Sequence, residues 1–289
     1  MLRNYLSLIK FSHTIFALPF ALVGFFLAVQ RTGWTDFPVG LLFYVLGCMV
    51  FARTAAMAFN RYLDRDIDAQ NARTAVREIP AGVIAPGRAL FFVVLNGVAF
   101  VGCAYLINPL CFYLSPVALL VILGYSYTKR FTWLCHFVLG LGLALAPVGA
   151  WLAVTAQFAW LPVLYGLAVL FWVSGFDIIY ALQDEAFDRE MRLYSVPVRL
   201  GRVRSLRLAR VLHVVCGGLM LVALDLVSEQ YPAVGWLAMV ATVVFLLLLV
   251  NQHRLVKPTD LSRIDLAFFT TNGIASVVFG TLLILDLFV

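Results

Sequence analysis

The chain has 289 residues, 63% hydrophobic and only 12% charged, with a mean hydropathy of +0.96. Soluble domains carry roughly 45–50% apolar residues, so a water-soluble globule is excluded, and the net charge of +6 is a poor nucleic-acid signal because its arginines are distributed between apolar runs. Cys48, Cys103, Cys111, Cys135 and Cys216 stand singly in apolar segments, with no CxxC pair and no histidine at ligand spacing, giving no sign of a disulfide framework or a zinc site.

Apolar runs of about 20 residues recur along the chain, the length a helix needs to cross about 30 Å of hydrocarbon. They are continuous rather than alternating, so helices and not barrel strands satisfy the backbone in lipid. The first run, Thr14 to Val29, follows Arg3 and Lys10. It lacks a small-residue cleavage site and leads into further spans, so it reads as a retained first helix rather than a signal peptide. Bounded by charge, Pro or Gly, the predicted spans are 14–31, 38–60, 88–107, 110–127, 132–154, 160–182, 206–227, 231–250 and 266–287. The predicted fold class is all-α, a polytopic membrane bundle of about nine transmembrane helices. No linker or low-complexity stretch divides it, so residues 1–289 read as a single domain.

Basic residues set the orientation, since loops rich in Lys and Arg stay cytoplasmic. Alternate loops carry Arg3 and Lys10, then Arg61 through Arg88, then Lys129 and Arg130, then Arg189 through Arg210, then Arg254, Lys257 and Arg263, whereas the opposite loops contribute only Arg31. The N-terminus is therefore expected in the cytoplasm, in a cell inner membrane. Most arginines of the 189–210 segment read as anchors to lipid head groups.

At the cytoplasmic end of the second span the sequence is N-R-Y-L-D-R-D-I-D over residues 60–68, which spaces Asn60, Asp64 and Asp68 by four. On a continuing helix all three share a face. The sixth span ends in D-I-I-Y-A-L-Q-D-E-A-F-D over 177–188, repeating the spacing in Asp184 and Asp188, with Tyr180 one turn and Asp177 two turns earlier. Like charges at i and i+4 repel, and at a helix C-terminus the macrodipole adds to the cost. A divalent cation offsets both, and carboxylates with an amide oxygen are the hard ligands magnesium takes, commonly alongside substrate phosphates. For either motif alone, pairing with Arg61, Arg65 and Arg73 or with Arg189 and Arg192 at a solvated helix end is the competing reading. Recurrence after the second and sixth helices favours a paired metal site with Asn60, Asp64, Asp68, Asp184 and Asp188 as ligands, and suggests an internal duplication. Arg53, an arginine inside a span and seven residues before Asn60, is a functional candidate by its cost. Tyr125 and Lys129 lie one turn apart at the end of the fourth span.

These residues resemble the UbiA superfamily of intramembrane aromatic prenyltransferases. The motif N-D-x-x-D-x-x-x-D appears over residues 60–68, with Arg61 in place of the first Asp, and D-x-x-Y-A-x-x-D-x-x-x-D appears complete over 177–188. Residues 73–82 are similar to the R-T-A-x-R-x-x-P-x-G loop, and 125–129 to Y-x-x-x-K. The phrases over 13–20 and 146–151 look most like the 4-hydroxybenzoate polyprenyltransferase branch, including relatives acting on 1,4-dihydroxy-6-naphthoate in menaquinone synthesis. The resemblance implies a bundle around a central cavity, with membrane lipid as a partner, a polyprenyl diphosphate under the cytoplasmic loops with its tail in an apolar groove of the bundle, Mg2+ on the aspartates, and an aromatic acid acceptor. It further implies that Arg53, Arg77 and Lys129 stabilise the leaving group, that Tyr125 and Tyr180 line the substrates, and that Asp177 assists ring deprotonation or orients the acceptor. A transporter of cations or organic acids would place its ionisable groups near the midplane; here they gather at one face.

Overall fold

The computed structural model describes residues 5, 7, 8, 16–33 and 37–289. Arg3, Lys10 and His13, used above for orientation and likeness, lie outside the described residues. Helices run α1 Leu18–Thr32, α2 Val39–Leu63, a short α3 Arg65–Gln70, α4 Pro86–Ile107, α5 Pro109–Thr128, α6 Cys135–Thr155, α7 Trp160–Ala181, a short α8 Glu185–Glu190, α9 Val196–Gln230, α10 Trp236–Leu255 and α11 Asn272–Asp286. Among the described residues eight helical stretches are long and apolar enough to cross a membrane. The ninth expected span is α1, with only 15 helical residues in the described part.

The largest boundary difference is α9. Its predicted span was 206–227, but the helix begins at Val196 with Ser195 as its cap and Pro197 in the first turn. Arg202, Arg204, Arg207 and Arg210 break the apolar pattern without breaking the helix, because their long stems tolerate a helical surface. The helix is interrupted at Gly201, at φ 72° and ψ 167°, a conformation open to glycine, which kinks the short opening turn that carries Arg199 away from the rest of α9.

Between helices in lipid the hydrophobic effect supplies no drive, so close backbone approach and buried polar contacts carry the packing. At Gly140 on α6 a Cβ would stand 2.5 Å from the Leu170 carbonyl oxygen of α7 and 2.6 Å from Ser174 Oγ. Only a residue without that carbon lets the two helices meet there. Gly140→Ala is expected to lower stability by about 1–3 kcal/mol through overpacking against backbone, seen as a lower melting temperature of the detergent-extracted protein. α7 lies at the centre, burying Trp172, Val173 and Phe176, and Trp172 Nε1 donates to Asn272 Oδ1 at 3.0 Å. α4 and α5 instead expose Phe91, Val98, Tyr113 and Leu120, as lipid-facing helices do.

α11 is preceded by a π-helical turn, Leu266–Thr271. Widened turns of this type strand carbonyls, and polar side chains answer for them: Asn272 Nδ2 donates to the Phe268 oxygen at 2.8 Å and Gln252 Nε2 to the Ala267 oxygen at 2.9 Å. The turn sets Phe268 against Tyr180, with ring centroids 4.0 Å apart.

Candidate active site

Both acidic motifs break their helices at the same place. α2 stops at Leu63 and Asp64 has φ −89° and ψ 2°; α7 ends in a 3-10 turn, Leu182–Asp184, and Asp184 has φ −98° and ψ 0°. This sparsely allowed bridge region is where many site residues sit. The chain then resumes as α3 and α8, and the Asp68 N–H still donates to the Asp64 oxygen at 2.7 Å, so the four-residue spacing survives the bend. The equivalent kinks add a backbone likeness to the side-chain repeat.

Asp64 is almost sealed, its side chain 3% exposed, with Lys129 Nζ 2.6 Å from Oδ2 and Arg130 Nη2 2.8 Å from Oδ1. Asn60 Nδ2 donates to Asp64 Oδ2 at 3.3 Å, which turns the Asn60 amide oxygen away from that carboxylate. Asp68 accepts from Arg77 Nη1 on both oxygens at 2.7 Å. Across the face, Arg73 grips Asp184 through Nε at 3.2 Å and Nη2 at 2.9 and 2.6 Å. Burial works against the charge on Arg73, yet the Asp184 carboxylate beside it holds the guanidinium above its ordinary value. That pair joins the loop after the first motif to the second motif, bringing the two halves to one surface. Asp188 faces Ser195 and Lys129.

The expected site residues therefore gather, with partners only partly foreseen. Arg73, Arg77, Lys129 and Arg130 hold the carboxylates; Arg61, Arg65, Arg189 and Arg192 do not pair with them among the described residues. In the sequence Arg130 reads as a topology charge, and its place next to Lys129 at a helix end is the signal that could have added it to the site. Arg61 is buried with Nη1 lacking a hydrogen-bond partner.

Below this surface, Arg53 Nε is sealed from solvent and unpartnered. Seven residues before Asn60 on α2, it lies roughly 10 Å deeper at the rise of an α-helix. Tyr125 stands within electrostatic reach of Arg53, Asp64 and Asp177. Tyr180 stacks on Phe268 and lies in the field of Arg73 and Asp184. Asp177 is held apart from the other carboxylates by His136, whose Nδ1 is 2.6 Å from Asp177 Oδ2. His136 is a residue the sequence reading missed: a lone histidine in an apolar helix start gives no spacing signal.

The donor set fits magnesium shared with a phosphate rather than caged by protein. Among the described residues no three Asp, Glu, His or Cys side chains converge on one point, whereas Asp64, Asp68, Asp184, Asp188 and the Asn60 amide offer hard oxygens, and magnesium commonly takes one or two carboxylates with substrate phosphates.

The comparisons with known proteins agree with this arrangement. Residues 17–274 match the UbiA prenyltransferase family. The chain is 31% identical over 257 residues to a 4-hydroxybenzoate octaprenyltransferase of Nitrosomonas europaea, covering 87% of this chain and 84% of that one. It is 32% identical over 276 residues to the protein of that name from Saccharophagus degradans, covering 91% and 88%. An apo UbiA homolog from Aeropyrum pernix K1 superposes with a TM-score of 0.82 at 30% identity, over 95% of this chain and 98% of the other. A UbiA homolog from Archaeoglobus fulgidus bound to DMAPP and Mg2+ shares the fold at a TM-score of 0.75 and 18% identity, over 98% and 99%. This integral membrane chain belongs to the UbiA prenyltransferase family, and it is a prenyltransferase.

Proposed function

We propose that the protein transfers a polyprenyl group from a polyprenyl diphosphate to an aromatic acid, 4-hydroxybenzoate or a close analogue, in respiratory quinone synthesis, with magnesium and release of diphosphate. The observation that carries this reading is the stacking of two unlike sites along α2. Asn60, Asp64 and Asp68 lie across the end of α2 and the start of α3, beside Arg77, Lys129 and Arg130 with Arg73 reaching Asp184, and Arg53, its Nε buried without a hydrogen-bond partner, lies about two turns deeper in the bundle. The upper site suits a diphosphate; the lower suits a single carboxylate buried in an apolar surround. The names borne by the relatives from Nitrosomonas europaea and Saccharophagus degradans support the same substrates.

In this mechanism Lys129, Arg73 and Arg77 exchange their carboxylate partners for diphosphate oxygens. The carboxylates so released, with Asn60, would hold magnesium, and bound magnesium supplies positive charge to the departing diphosphate. Arg53 takes the acceptor carboxylate and fixes the ring depth. The bond from the prenyl carbon to the diphosphate oxygen breaks, a bond forms to the ring carbon ortho to the hydroxyl, and the displaced ring proton passes to Asp177. Tyr180 and Phe268 present aromatic faces beside Asp184, where positive charge on the prenyl carbon is stabilised, and the apolar packing keeps water from that carbon.

The tail is assigned to an apolar cleft of about 570 Å³ between α4 and α5, lined by Val93, Gly97, Val101, Phe112 and Leu123. Val93 and Leu123 pack in the cluster that includes Phe59, which precedes Asn60 in the chain, and the cleft opens toward lipid past Val94, Val98 and Tyr105. The orientation assigned is the one the basic loops favour, with the acidic face in the cytoplasm of a cell inner membrane and the chain acting as one domain.

The test is an assay of membranes carrying the protein, given a prenyl diphosphate, labelled 4-hydroxybenzoate and Mg2+. Label is expected in a lipid-soluble product, with one diphosphate released per prenyl group. Diphosphate release without labelled product, or vesicle uptake of the acid without a covalent product, overturns the reading.

A further inference from the structure

His136 is 3% exposed in the first turn of α6, where a buried imidazole needs partners for both nitrogens. Its Nε2 is 3.3 Å from the backbone nitrogen of Val196. A backbone N–H can only donate, so Nε2 carries the lone pair, and in a neutral ring the proton then sits on Nδ1 and is donated to Asp177 Oδ2 at 2.6 Å. One tautomer satisfies both contacts. Asp177 is thereby fixed as an acceptor through Oδ2, and its side chain keeps 22% exposure where that of His136 has 4%. Its other oxygen is the one left for the space shared with Tyr125, which also feels Arg53.

The histidine is itself braced on three sides. The close approach at Gly140, one turn along α6, holds α6 against α7. Ser174 Oγ donates to the His136 oxygen at 3.3 Å. The segment before Val196 is strapped to the end of α5, the Tyr194 N–H donating to the Lys129 oxygen at 2.7 Å. The imidazole thus joins the start of α9, the loop after the second acidic motif and the carboxylate that faces the acceptor.

We propose that His136 is a positioning residue for prenyl transfer: its Nδ1–H fixes the orientation of Asp177, so that one carboxylate oxygen is presented to the acceptor ring. This rests on the prenyl-transfer reading above. A merely structural role, capping the first N–H of α9, needs the Nε2 acceptor instead. The two roles separate chemically. Asn places an amide N–H near the Nδ1 position and loses the Nε2 contact, whereas Gln reaches the Nε2 position and loses the donor to Asp177.

The experiment compares wild type with His136→Ala, His136→Asn and His136→Gln in membranes, normalised to folded protein, for kcat and for KM of the prenyl diphosphate. Ala and Gln are expected to lower kcat by roughly tenfold or more, the scale of losing an outer hydrogen-bond partner of a site group, with KM of the diphosphate unchanged; Asn retains most of kcat. Should Ala fail to fold, the contrast of Asn with Gln decides. Retention by Gln with loss in Asn, equal loss in both, or no loss in any variant overturns the positioning role while leaving an active wild type and the prenyl-transfer reading intact. A wild type that forms no prenylated acid overturns that reading and this one together.

Discussion

Membranes carrying Asp64→Asn combined with Asp184→Asn will lose prenyl transfer by about 10³-fold or more, since removing one preorganised electrostatic group commonly costs 10²–10³ in kcat and this pair removes one from each motif. Chelator in excess will do the same to wild type, and restored Mg2+ will reverse it. The double variant also strips Lys129 and Arg130 of their shared carboxylate and Arg73 of its bidentate partner. Breaking a buried pair from one side costs on the order of 3 kcal/mol, so a lower melting temperature is expected beside the lost activity. The chelator arm separates the two effects, because it leaves every ion pair in place. Activity that persists in the double variant, or in chelator, removes the metal site from the account.

The ion pairs also explain how such a site exists without its ligands. Four carboxylates crowded at two helix ends would repel each other and the helix dipoles. Here Asp64, Asp68 and Asp184 are paired with the cations suited to a diphosphate, and Asp188 lies in the field of Lys129. On the proposed reading, the arrival of diphosphate and of magnesium would be coupled, since each would take the partners of the other.

How much of this could be read from the sequence depends on the range of the interaction. Apolar run length gave the spans, and the i, i+4 spacing gave the faces carrying Asn60, Asp64, Asp68, Asp184 and Asp188, because both are properties of a single helix. The start of α9 is hidden from hydropathy because arginine stems over 202–210 interrupt the apolar pattern without ending a helix, while Ser195 and Pro197 mark the short turn before the break at Gly201. The pairing of Arg73 with Asp184 spans 111 residues and depends on how loops fold over the bundle. His136 reaches Asp177 only because Gly140 lets α6 and α7 close, and no pattern within either helix encodes that distance.

Arg53→Ala will separate binding from stability in opposite directions. Its Nε is buried without a hydrogen-bond partner, and an arginine inside a membrane span is costly. Truncation removes that cost, so the melting temperature of the ligand-free protein is expected to hold or rise. The acceptor, on the proposed reading, loses the cation assigned to its carboxylate. Truncating one partner of a buried, hydrogen-bonded charge pair costs about 2–5 kcal/mol, and at 1.4 kcal/mol per decade the lower figure is about 30-fold in affinity. KM for 4-hydroxybenzoate will rise by at least about that factor, while KM for the prenyl diphosphate changes little. An acceptor with the carboxylate replaced by a neutral group of similar size should be used equally by wild type and variant. If the variant instead loses affinity for the prenyl diphosphate and keeps it for the acid, Arg53 belongs to the upper site and the acceptor is oriented by other residues.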